Sequence, residues 1–216
     1  MNEQGWLNKL ERRFGRYSVR NLMMYIVLGM AAVYIMDMIA APIGRTSMYR
    51  LLAFDLNAIR HGQIWRLVSF ALIPPDTNII FVAVSLYFYW WIGSALENRW
   101  GSFKFNLYYL FGIIGTVLAG CITGYATNYY INLSLFLGFA LLYPEQEVRV
   151  LYILPVKMKY LALLEAAGLA LMFVRSSMPG RIALLVSLAN VLLFFWNDMV
   201  RSVRKAYRRY KFKKNF

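Results

Sequence analysis

The sequence predicts an all-α polytopic membrane protein, and three observations predict it. Of the 216 residues, 60% are hydrophobic and only 16% charged, where a soluble domain carries about 45–50% and about 25%. The uncharged stretches are long enough to cross a bilayer, which takes about 17–25 residues as helix. The surplus of 24 basic over 10 acidic residues, a net charge of +14, gathers at the ends of those stretches. Disorder is excluded, because it needs low hydrophobicity. A nucleic-acid binder would account for the charge but not for a mean hydropathy of +0.49, so no nucleic-acid partner is expected.

Charges mark where each span ends. Between Arg20 and Arg45 only Asp37 interrupts the uncharged run, which gives a first span near 21–41. The run between Asp76 and Glu97 gives a second near 78–96. Between Lys104 and Glu145 lie 40 uncharged residues, too many for one helix and enough for two. The turn-prone stretch Gly124-Tyr-Ala-Thr-Asn-Tyr-Tyr130 divides them, so spans three and four fall near 104–123 and 130–144. A fifth runs near 158–174 with Glu165 inside it, and a sixth near 181–197.

Six spans place both termini on one side, and the excess of Lys and Arg marks the cytoplasmic side. With the N-terminus inside, 18 basic residues are cytoplasmic, and Arg45, Arg50, Arg60, Arg66, Arg175 and Arg181 are the six outside. The chain divides into a basic amphipathic segment, 1–20, a six-span domain, 21–197, and a basic tail, 198–216. In the first, WLNKLERRFGRY sets Trp6, Leu7, Leu10, Phe14 and Tyr17 at helical spacing among Lys and Arg, which suits the surface of the inner leaflet. Basic clusters at both termini are expected to hold anionic lipid headgroups. The first 20 residues hold five basic groups and no apolar run, so no cleavable signal peptide is expected. The final Lys213-Lys214-Asn215-Phe216 fits a signal for return to the endoplasmic reticulum. In so basic a tail chance explains that match, and a bacterial plasma membrane is the expected location.

Gly112, Thr116, Gly120 and Gly124 recur every four residues in span three, as Ala162, Ala166 and Ala170 do in span five. Small residues at that spacing let another helix approach closely, within the bundle or in a homo-oligomer. Glu165 is a mid-span carboxylate, which needs a polar interior, a partner or water, whereas Asp37 is near enough to its span's end to reach the interface. The single cysteine, Cys121, is read as a small packed thiol. One histidine and one cysteine build no metal site with carboxylates this scarce, and no cofactor is expected.

The segment joining spans one and two, 42–77, is too apolar for an ordinary loop. It contains Met48-Tyr-Arg-Leu-Leu-Ala-Phe54 and Ile64-Trp-Arg-Leu-Val-Ser-Phe-Ala-Leu-Ile-Pro-Pro75, and it is expected to lie partly in the outer leaflet. Trp65 suits the headgroup region, and Arg66 is expected to snorkel or to bind carbonyl oxygens. Gly62-Gln63-Ile64-Trp65-Arg66-Leu67 resembles the G-[EQ]-x-W-R-L signature of rhomboids and derlins. Phe81-x3-Ser85-x7-Gly93-x3-Glu97-x3-Gly101 resembles the rhomboid pattern H-x3-N-x7-G-x3-E-x3-G at Gly93, Glu97 and Gly101, and departs from it at Phe81 and Ser85. The resemblance implies a six-helix rhomboid-like transmembrane bundle with a long membrane-embedded first outer loop.

The family's chemistry is a Ser-His dyad, a G-x-S-G serine opening span four and a histidine in span six. Here span four begins Tyr130-Ile-Asn132-Leu133-Ser134, without the glycines, and span six holds Asn190 and no histidine. The one histidine, His61, lies beside the Trp-Arg motif, an unsuitable place for the base that a serine nucleophile needs. No catalytic residue is therefore expected, and Ser134 is the only, weak, candidate. The reading is a non-catalytic rhomboid-like protein, similar to derlins, that binds transmembrane or membrane-associated client proteins. Asn132, Ser134, Glu165 and Asn190 are the candidate polar interior. The alternatives are an intramembrane serine endopeptidase with a non-standard site, and a small transporter centred on Glu165.

Overall fold

A computed structural model describes residues 5–40, 47–124, 126–150, 154–178 and most of 180–195. The basic tail expected over 198–216 lies outside the described residues, as do the side chains of Trp6 and Leu7. The elements, in order, are α1 (Gly5–Phe14), α2 (Leu22–Ala40), three short helices α3 (Met48–Leu52), α4 (Leu56–Arg60) and α5 (Arg66–Ser69), then α6 (Ile79–Trp100), α7 (Ser102–Thr123) and α8 (Tyr129–Leu142). A hairpin of β1 (Glu147–Val150) and β2 (Leu154–Lys157) leads to α9 (Met158–Arg175). Last comes α10 (Gly180–Phe195).

The structure is mostly helical, and α2, α6 and α7 are each long and apolar enough to cross a membrane. Their charge-free runs make helix the only local way to pair backbone groups away from water. Polar punctuation sets the ends. Asn78 caps α6 by accepting from the Ile80 amide at 3.0 Å. Gly124, at φ 77°, closes α7 in the left-handed region that a side chain disfavours. Asp37, near the end of α2, is part-buried. It accepts from Ser47 Oγ at 2.7 Å and the Met48 amide at 2.6 Å, and so starts α3.

Aromatic rings fill the core where α6, α7, α8 and α10 meet. Trp100 lies 4.5 Å from Phe195, and Trp91 lies 5.0 Å from Phe139. Gly138 of α8 leaves the space that the Phe195 ring occupies. The outward surface is apolar too, with Leu28, Met38, Ile80, Phe81 and Leu118 all exposed. A soluble monomer rarely exposes so large an apolar area.

Two expectations need correction, and one element was not foreseen. Cys121 is exposed, not packed, because its position on α7 faces away from the neighbouring helices. The alanine stripe of α9 is only partly used: Ala162 packs on the core, but Ala166 and Ala170 are exposed. The unforeseen element is a hairpin after α8, pairing Glu147 with Lys157 and Val148 with Val156. Its valines suit strand pairing, but four residues per strand are too few to stand out between two apolar helices.

Candidate functional site

Two polar knots brace the helices, and both fall on the motifs singled out in the sequence. At the α6–α7 corner Glu97, 6% exposed, accepts from the Asn21 amide at 2.7 Å, the Leu22 amide at 3.2 Å and Ser102 Oγ at 2.6 Å. Its carboxylate thus caps α2, where the helix dipole favours negative charge, and fastens the start of α7. Gly101 makes the turn at φ 86°. A Cβ on Gly93 would collide with the Met23 side chain, so glycine lets α2 and α6 touch. Gly93, Glu97 and Gly101 are one structural unit.

The second knot is the first connection. Arg66, 7% exposed, donates from Nη1 to the carbonyls of Arg50 at 2.8 Å and Ala53 at 2.6 Å, and from Nε to Gln63 Oε1 at 2.7 Å. Of the two expectations for this guanidinium, carbonyl binding is the one observed. Trp65 Nε1 donates to Leu51 O at 3.3 Å while its ring stays half exposed. Asn128 ties this connection to α8, donating to Ile73 O at 2.6 Å and Ala71 O at 3.3 Å. The sequence reading missed Asn128. An asparagine just before an apolar run signals a helix cap, but this side chain reaches across to the other segment.

Ser134 is 1% exposed. Its Oγ accepts from the Tyr108 hydroxyl at 2.7 Å and donates to Ile131 O at 2.7 Å. Asn190 of α10, 8% exposed, donates from Nδ2 to Tyr108 O at 3.5 Å, a long contact. Ser134 and Asn190 line one small cavity of about 10 Å³, with Gly112, Thr116 and Tyr130. Two of the four predicted interior residues are therefore brought together, and Tyr108 joins them.

The other two lie elsewhere. Asn132 is 4% exposed, and among the described residues neither polar atom of its side chain finds a hydrogen-bond partner. Tyr89 of α6 is near enough to interact with it, short of hydrogen-bond geometry. Glu165 is half-buried on α9, and its partner is the Tyr129 hydroxyl of α8 at 3.4 Å. Of the predicted stripe, Gly112, Thr116 and Gly120 pack inside: Gly112 faces Ile131 and Asn190, and Gly120 faces Phe54 and Ala126. Gly124 does not, because it is exposed with nothing against it and serves as the left-handed end of α7. Among the described residues no group of three His, Cys, Asp or Glu could hold a metal ion.

A scan against protein-family models returned no match, and neither did a search of curated proteins. What the site can do rests on its side chains. A serine nucleophile needs a base that takes its proton, and the proton of Ser134 goes to a backbone carbonyl instead. His61 does not approach it, since its Nδ1 contacts Asn57 O at 2.7 Å within its own helical turn. The tyrosine, serine and asparagine amide can bind and orient neutral polar groups. They cannot accept a proton at neutral pH.

Proposed function

We propose that this chain is a rhomboid-like membrane protein without protease activity, and that it holds transmembrane client proteins. The observation that carries the reading is Ser134, buried and held between Tyr108 and Ile131 O. The family likeness is supported by the two knots, because Arg66 and Glu97 brace the scaffold with the residues that the motifs share. In this reading six helices cross the membrane with both termini cytoplasmic, supported by the 18-to-6 division of basic residues. The basic α1 rests on anionic lipid at the inner leaflet. Phe14 and Tyr17 are exposed there, and Arg16 stacks on Tyr17 at 4.7 Å.

Clients engage beside α9, which packs on α8 and β2 and, among the described residues, buries only Met158 and Leu169. Along that edge the Tyr129–Glu165 pair offers a polar contact at membrane depth, where an unpaired client polar group would be costly. Two measurements test this. A photo-crosslinking amino acid at Leu164, exposed on α9 beside Glu165, should capture transmembrane proteins, and one at Met38 should capture lipid alone. Capture of lipid alone from both positions would refute client binding. A fluorophosphonate probe should label neither the wild type nor Ser134→Ala. Labelling lost in the variant would restore the protease.

A further inference from the structure

The cavity beside Ser134 has a size and a lining that point to a ligand of its own. Its volume of about 10 Å³ is close to the least that admits one water molecule. Phe111, Ile131 and Val186 supply apolar walls. The polar groups that face it keep unused bonding capacity. Ser134 Oγ donates once and accepts once, which leaves one lone pair. Thr116 Oγ1 donates to Gly112 O at 2.8 Å and keeps both acceptor positions. The Asn190 amide has two N–H groups, and one makes the 3.5 Å contact with Tyr108 O.

We propose that this cavity binds one ordered water molecule between α7, α8 and α10. The water accepts from Asn190 and donates to Ser134 and Thr116, about the three bonds that buried waters usually make. Gly112 creates the space: a Cβ there would stand 3.3 Å from Asn190 Nδ2 and 3.4 Å from Ile131 Cγ2. The water completes the coordination of Ser134 and joins α10 to the rest of the chain by polar contact. The inference stands whether or not clients bind beside α9.

Hydroxyl-radical footprinting of the full chain in lipid nanodiscs tests it, because radicals formed at a bound water oxidise the side chain beside it. Tyr130 lines the cavity and is 7% exposed, while Tyr109, a ring of the same chemistry, is 3% exposed and does not line it. Tyr130 should be oxidised several-fold faster than Tyr109, and equal rates would overturn the proposal. In Gly112→Ala the added methyl should displace the water. The rate ratio should then fall to about one, with no gain in melting temperature. A rise of about 2–4 °C, expected when a better helix former fills a dry gap, would overturn it as well. If the variant does not fold, the wild-type ratio decides alone.

Discussion

Glu97 and Glu165 are both carboxylates in helices set among apolar residues, and the structure treats them in opposite ways. Glu97 is 6% exposed and meets three donors within 3.2 Å. Glu165 is half-buried and, among the described residues, meets one hydroxyl at 3.4 Å. A carboxylate with every oxygen engaged is part of the scaffold, and its charge is spent on holding two helix starts. A carboxylate with capacity left over is free to serve another molecule. Position within an apolar run made Glu165 the conspicuous residue of the sequence, but partner count decides the role.

Substitutions should widen that contrast. Glu97→Ala strands three donors at a buried corner, and hydrogen bonds to charged groups are worth about 1.5–3 kcal/mol each. We expect at least about 3 kcal/mol of destabilisation, read as a drop of about 6–12 °C in melting temperature. A loss below 1 kcal/mol would remove Glu97 from the scaffold. Arg66→Ala should follow at about 2–3 kcal/mol. Arg66→Lys should recover little of this, because a point charge cannot repeat the forked contacts to Gln63, Arg50 and Ala53. Gly93→Ala forces α2 away from α6 at Met23 and should cost about 1–3 kcal/mol. Glu165→Gln should change stability by no more than about 0.5 kcal/mol, yet reduce capture by a crosslinker at Leu164. Equal losses for Glu97→Ala and Glu165→Gln in a thermal scan would erase the distinction between the two residues.

The smallest effect belongs to a third glutamate, outside the long helices. Lys159 and Lys157 hydrogen-bond Glu145 at 2.8 and 2.9 Å and hold its carboxyl down to about 2. A carboxyl depressed in the folded state adds stability above its unfolded value, and that stability fades as pH falls toward about 2. Full exposure screens the pair. Glu145→Gln should therefore leave the melting temperature at pH 7 unchanged within error, and high salt should not separate variant from wild type.

Much of the fold was legible because charge-free length is a strong signal. Each stretch predicted between charges holds a helix, and the break near Gly124 falls where the left-handed glycine ends α7. Glu97, Gly93, Gly101 and Arg66 were legible as a spaced motif, though spacing did not say what each side chain touches. Asn128 and Tyr108 were not legible. Their partners lie 55 and 26 residues away, and nothing local distinguishes an asparagine that caps a helix from one that pins another segment. Cys121 was misread for a similar reason. An apolar run is alike on all sides, so the sequence could not say which side meets other helices.

The placement of the polar contacts also has a consequence in time. The chain is made from its N-terminus, and each contact waits for its last residue. The Glu97 corner can close once Ser102 exists. The connection around Arg66 gains its hold on α8 only when Asn128 arrives, and the Ser134 cavity is walled only after Asn190. Residue by residue, the corner that joins α2, α6 and α7 needs nothing beyond Ser102, whereas the polar flank of α8 has its full set of partners only once Asn190 is made.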